Sequence, residues 1–128
     1  MTPTEAKRRL GGLPATLQAA TEAALDRVAE TVATEARRSL GAAGPSAPGA
    51  APADPAGTLA AAIGTAREGD GTAMVNVAAP FAAALEYGTR HMAARPFLRP
   101  AVAATGEAAR QIMAEAFAQA IAQAEDDA

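Results

Sequence analysis

Forty of the 64 apolar residues in this chain are alanine. Alanine forms helix more readily than any other residue, yet it contributes almost no side chain to a core. Across 128 residues only 24 Leu, Ile, Val, Met, Phe and Tyr remain, so helices are easy to build and a large interior is not. Leu, Ile, Val and Phe number 19, about 15 % of the chain, below the roughly 20 % that marks disorder when net charge is high. Here the net charge is only −3. The composition therefore predicts a marginally stable folded domain that gains apolar burial from partners. A chain of this length reads as a single domain over residues 1–128.

What the chain lacks excludes several chemistries. With no cysteine there is no disulfide, no thiolate zinc site and no cysteine nucleophile. The single histidine, His91, has no second histidine with which to share a metal, and its nearest carboxylate in sequence is Glu86. Ser39 and Ser46 lie in no G-x-S-x-G elbow. Gly11-Gly12 and Gly69-Asp70-Gly71 lack the spacing of a phosphate-cradling loop and read as turns. No catalytic residue, metal ligand or cofactor site is expected. Lys7, Arg8 and Arg9 are followed by Gly11, Gly12 and Pro14 instead of an apolar run, so no signal peptide is predicted. Nor is there a stretch approaching the roughly 18 uninterrupted apolar residues of a bilayer span. An isoelectric point near 5.1 argues against tight general binding of nucleic acid, which needs Lys and Arg to displace counterions from phosphates. The expectation is a soluble protein made in the cytoplasm, with no membrane partner.

Periodicity organises the rest. From about Pro14 to Leu40, Leu17, Ala20, Ala24, Val28, Val32 and Ala36 recur at three- and four-residue steps, the signature of an amphipathic helix. Pro14 suits its first position and Gly41 the position past its end, with Arg37 and Arg38 at the negative end of the helix dipole. Gly41–Gly57 then holds four prolines, four glycines and one charge, a composition that predicts a flexible, partly extended loop. Two runs, Leu59–Arg67 and Thr72–Ala78, flank the turn residues Glu68 to Gly71 and read as a β-hairpin. In the first of these Ala60, Ala61 and Ala62 favour helix and leave room for a short turn before Ile63. Phe81–Tyr87 fits a strand or a short helix equally well, with Gly88 ending it. Pro96 and Pro100 frame an extended segment from Arg95 to Arg99, because residues before proline avoid the helical region. Pro100 is then expected to open a last helix carrying Val102, Ala109, Ile112, Met113, Ala116, Phe117, Ala120 and Ile121 on one stripe.

Two basic groups stand out. Lys7-Arg8-Arg9 and Arg37-Arg38 are diluted by the acids of the same helix and read as a solvated face. Arg90, Arg95 and Arg99 have no acid between Glu86 and Glu107, so a phosphate or an acidic partner surface could meet them; salt bridging between subunits is the favoured reading. Between those arginines lie Phe97 and Leu98, large apolar groups on a strip stiffened by two prolines, suited to anchoring a neighbour. The alternative is that Phe97 plugs this domain's own core. The Ala-rich helices also leave open an amphipathic coat on an apolar granule or bilayer surface, as in phasin-like proteins.

Phe81–Ala101, FAAALEYGTRHMAARPFLRPA, is the most specific stretch. It resembles the gene-product-ten family of HK-type lambdoid phages, small proteins that join head to tail in long-tailed phages. In that family an acidic-aromatic-Gly-Thr element precedes an Ala-x-Pro-Phe-Leu-x-Pro-Ala element. Here these are Glu86, Tyr87, Gly88 and Thr89, then Ala94 to Ala101. A first helix, a Pro-rich stretch, a Gly-x-Leu element at Gly57, Thr58 and Leu59 and a strand pair follow the same layout, so the likeness runs over nearly the whole chain. The family's basic residue soon after Gly-x-Leu is missing, since Leu59 is followed by Ala60-Ala61-Ala62-Ile63.

The resemblance implies an α+β fold, a small antiparallel β-sheet packed by a long N-terminal helix and a C-terminal helix, that assembles into a ring. It implies a structural protein of a tailed phage, prophage or gene-transfer particle, a neck, tail-completion or tail-terminator ring around the DNA channel. The implied partners are copies of itself as a hexamer, the adjacent head-connector and tail-tube proteins, and DNA that passes without sequence-specific binding. The implied location is the neck or tail of the virion or virion-like particle. Its subunit or partner contacts are expected at Glu86, Tyr87, Gly88, Arg90, Arg95, Pro96, Phe97, Leu98, Arg99 and Pro100. The alternatives are a DNA-binding accessory protein and the phasin-like coat.

Overall fold

A computed structural model describes residues 2–41, 47–69 and 71–126. The chain is α+β: α1 (Pro3–Ser39), α2 (Thr58–Ala62), β1 (Ile63–Arg67), β2 (Ala73–Val77), α3 (Ala82–Tyr87) and α4 (Leu98–Asp126). The two long helices form the principal contact of the fold. Grooves between them are lined by Thr16 and Ala20 with Ala120 and Gln123 at one end, and by Thr31 and Thr34 with Thr105 at the other. They therefore run antiparallel. The β1–β2 hairpin lies across the C-terminal half of α1.

Two helix starts differ from the sequence reading. α1 begins at Pro3, so Pro3 takes the first helical position and Gly11-Gly12, expected as a turn, lies inside the helix. Pro14 lacks the amide that an interior position uses. The run of good helix formers from Glu5 to Leu10 nevertheless continues the helix on its far side. α4 begins at Leu98, which places Pro100 in its first turn instead of at its opening. The first-turn amides have no partner inside the helix in any case, so proline costs little there. Arg99 is thus helical although a proline follows it. The other boundaries follow local chemistry. Ala60–Ala62 fall in α2 and β1 starts at Ile63, while the Phe81–Tyr87 run resolves as the helix Ala82–Tyr87 with Phe81 at its N-cap, closed by Gly88.

The hairpin pairs Ile63 with Val77, Thr65 with Val75 and Arg67 with Ala73. Gly69 and Gly71 in its turn adopt φ of 70° and 78°, which glycine tolerates without a Cβ clash. Arg67 ties the hairpin to α1: its Nε and Nη2 donate to the Asp26 carboxylate at 3.0 and 2.8 Å, and its Nη1 pairs with Glu22. The Gly71 amide donates to Glu22 at 2.6 Å.

Residues 42–46 of the Gly41–Gly57 loop lie outside the described residues. The remainder is held by main-chain bonds that its small side chains gave no sign of. The Gly41 amide donates to the Pro52 carbonyl (2.8 Å), the Asp54 amide to the Gly41 carbonyl (2.7 Å) and the Gly49 amide to the Ala94 carbonyl (2.9 Å). The Asp54 carboxylate accepts the Leu59 and Ala60 amides at 3.0 and 2.8 Å, capping α2.

The core is small. Ala33 and Ala36 of α1, Leu59, Ile63, Phe97 and Ala101 form one buried cluster, and Phe97 is its largest fully enclosed side chain. Alanine on α1 leaves the volume that the ring fills. Towards the far end of the helix pair, Ala24 and Ala120 are buried while Phe117 and Ile121 stay partly exposed. Phe97→Ala is expected to cost roughly 3 to 5 kcal/mol in chemical denaturation. Tyr87→Ala, which removes a side chain that is 70 % exposed, is expected to cost under about 1 kcal/mol.

Candidate functional site

The Phe81–Ala101 segment forms one closed unit. α3 ends at Tyr87, and Gly88 turns the chain with φ 78° and ψ 173°. A Cβ on Gly88 would stand 2.9 Å from both the Ala94 nitrogen and the Met92 oxygen, so no other residue fits without moving that backbone. Thr89 and Met92 bond to each other through their main chains, and the Arg95 amide donates to the Leu85 carbonyl at 2.6 Å. The loop thereby returns to its own start.

Glu86 closes the unit. Its carboxylate is buried and accepts the amides of Phe97 (2.8 Å), Leu98 (3.1 Å) and Arg99 (2.7 Å). These are the amides that the start of α4 leaves without intrahelical partners, and the next residue, Pro100, has none to offer. One carboxylate thus satisfies the whole first turn, at the positive end of the helix dipole. That set of bonds holds Arg99 in helical conformation against the preference imposed by Pro100. The Arg99 side chain reaches back as well, with Nε donating to Glu86 Oε1 at 3.2 Å and Nη2 to the Glu86 carbonyl at 2.6 Å. Its guanidinium lies 5.0 Å from the centre of the Tyr87 ring, a cation–π contact at the surface. Burial by itself pushes the Glu86 carboxyl up. The amides of Arg99, Phe97 and Leu98 and the Arg99 side chain favour the charged form more strongly, so the group is held below the ordinary glutamate range.

The ten expected contact residues therefore divide. Glu86 and Phe97 belong to the interior and are not presented to a neighbour; of the two readings of Phe97, the structure places the ring in this domain's own core. Gly88 serves the turn. Tyr87, Arg90, Arg99 and Pro100 are exposed, and Arg95, Pro96 and Leu98 are half-buried. Arg99 spends its charge within the chain, on Glu86. Arg95 lines a shallow groove with Asp54, Leu59, Phe81 and Leu85. A second apolar groove between α1, β2 and α4 is lined by Leu25, Val28, Val32, Val75, Leu98 and Val102 among others, of which the sequence reading did not single out Leu25. Val102 is 58 % exposed there.

Among the described residues no three His, Asp or Glu side chains gather as a metal site. No described helix is long and apolar enough to cross a membrane. Comparison of the chain with protein-family models, with curated proteins and with solved structures finds no match.

Glu86→Gln keeps the shape of the side chain but removes the charge, and is expected to lower stability at neutral pH by about 1 to 3 kcal/mol. Because the folded state holds this carboxyl below its ordinary value, its contribution is complete above roughly pH 4.3 and is lost as pH falls through the lower folded value. Denaturation midpoints of wild type and Glu86→Gln should therefore converge in acid and separate as pH rises. Gly88→Ala is expected to cost more than about 1 kcal/mol in the same assay, through its strained φ and its contact with Met92 and Ala94.

Proposed function

We propose that this chain is a structural ring subunit of a tailed phage, prophage or gene-transfer particle, placed at the head-tail junction as a neck, tail-completion or tail-terminator ring around the DNA channel. The observation that carries the reading is the pair of elements Glu86-Tyr87-Gly88-Thr89 and Ala94–Ala101. They resemble the head-tail joining family in sequence, and in this fold they bind each other, Glu86 of the first holding the helix start of the second. Assembly, not chemistry, is then the mechanism. Tyr87, Arg90, Arg99 and Pro100 are exposed members of the segment that can meet a neighbouring subunit, with the Arg99 guanidinium lying over the Tyr87 ring.

Further support comes from burial. In a chain with few large apolar residues, Phe81, Val102, Phe117 and Ile121 remain substantially exposed. A partner that covers them supplies the burial which the thin core lacks. A net charge of −3 suits a conduit through which DNA slides without being gripped. The partners on this reading are six copies of the chain, the head-connector and tail-tube proteins, and passing DNA.

Electron microscopy of purified particles, with this chain tagged, tests the proposal. The expected result is a six-fold ring of tagged subunits at the junction, with heads and tails left unjoined when the chain is deleted. Arg90→Glu together with Tyr87→Ala is expected to fold normally and to reduce joining at least tenfold. Absence from particles overturns the reading. Duplex-DNA binding that weakens steeply between two salt concentrations then identifies an accessory protein, and binding to lipid vesicles identifies a surface coat.

A further inference from the structure

The two-stranded sheet has two edges, and they are not alike. In the hairpin the Ala78 amide donates to the Ala62 carbonyl and the Glu68 amide to the Thr72 carbonyl. The even-numbered residues of β2 therefore bond toward β1, and antiparallel alternation turns the amides and carbonyls of Ala73, Val75 and Val77 outward. The matching outward groups of β1 belong to Ile63, Thr65 and Arg67, and that edge is blocked at its Ile63 end. The Ile63 carbonyl accepts from Arg37 Nη2 at 2.8 Å, the Ile63 amide is bound to the Ala60 carbonyl, and the Arg67 side chain is folded onto Asp26 and Glu22.

β2 has no guard. Its sequence, Ala-Met-Val-Asn-Val, contains no charge and no proline, and among the described residues no hydrogen bond from beyond the hairpin reaches its outward groups. An uncharged, uncovered edge is a template for a further strand. Alongside it runs the apolar groove of about 310 Å³ between α1, β2 and α4, to which β1 contributes nothing.

We infer that, before assembly, two copies of this chain pair through β2 as a two-fold dimer, each strand covering the other copy's groove. Among the described strands β2 alone has all its outward groups unbonded, so the strand of a second copy that can match it along its full length is β2 again. Its outward residues are symmetric about Val75. Antiparallel pairing sets Ala73 of one copy against Val77 of the other and Val75 against Val75, giving about six main-chain hydrogen bonds. On the helix side, the Val75 and Val77 side chains of each copy come over Leu98 and Val102 of the other. On the far side Met74 meets Asn76, and no like charges oppose one another. A two-fold contact of this kind is isologous and cannot repeat around a six-fold ring. The dimer is therefore a form of the free protein, one that keeps an adhesive edge covered until assembly.

Sedimentation velocity of the full chain over a concentration series tests this. The wild type is expected at twice the 12.7 kDa chain mass. One variant carrying Met74→Lys and Asn76→Lys, and a second carrying Met74→Glu and Asn76→Glu, alter exposed side chains only and place like charges opposite each other in the pair. Each alone is expected to sediment as a monomer with wild-type circular dichroism, and an equal mixture to recover the dimer. Val75→Pro removes an outward amide that the hairpin does not use, and is also expected to be monomeric, which keeps the test sound if the charged variants fold poorly. A wild type that is monomeric throughout, dimers that persist in the Lys variant or in Val75→Pro, or a mixture that fails to pair would overturn the inference. A wild type that forms six-membered rings in solution would overturn it while supporting the proposed function, so failure of one is told apart from failure of the other.

Discussion

A helix that begins inside a protein leaves several amide hydrogens without intrahelical partners, and α4 solves that problem with one buried carboxylate. Glu86 accepts the amides of Phe97, Leu98 and Arg99, and Pro100 brings no fourth. Much else depends on that contact. It fixes where α4 begins, and so which of its positions, Ala101, Thr105 and Ala120 among them, are buried. It sets the entry of the chain so that Phe97, at the cap, points into the core. It also joins α3 to α4 across a loop whose only tolerable turn residue at position 88 is glycine. Since removing one partner of a buried charge costs more than the net worth of the pair, the site is held by all its members together.

The alanine-rich helices explain why the anchor is needed. Two helices faced with alanine approach closely but bury little area per residue, so their pairing alone places them loosely. Phe97, seated against Ala33 and Ala36, and Arg67, reaching from the hairpin to Asp26, act as discrete pins where a richer core would use continuous packing. The same scarcity leaves large side chains at the surface, around the groove at Val102 and at Phe117 and Ile121.

How much of this was legible in the sequence depends on the range of the interaction concerned. The periodic stripes of α1 and α4 and the alternation of the hairpin are local patterns, and the elements fall where those patterns lie. On α4, however, the buried positions are Ala101, Thr105 and Ala120, while Val102, Phe117 and Ile121 of the expected stripe stay exposed. The starts were harder. Pro14 and Pro100 each carried a local signal for a helix opening, and each was overruled, by propensity on either side of Pro14 and by Glu86 in front of Pro100. Gly88 was legible as a terminator but not as a site of close approach, because Met92 and Ala94 become its neighbours only once the loop closes. The ties of Glu86 span 11 to 13 positions and those of Arg67 span 41 to 45. Such contacts leave no spacing signal in a single chain. For Phe97 the sequence allowed core or contact surface, and the ring's complete burial decides for the core.

The most direct test of this account is a carbon-detected NMR titration of the Glu86 carboxyl in the folded protein, read together with the amide shifts of Phe97, Leu98 and Arg99. The account predicts a titration midpoint below that of ordinary glutamates, with the three amides moving at the same pH as the carboxyl. A midpoint at or above the ordinary glutamate value, or three amides that do not respond to its protonation, would contradict the claim that this carboxylate holds the start of α4.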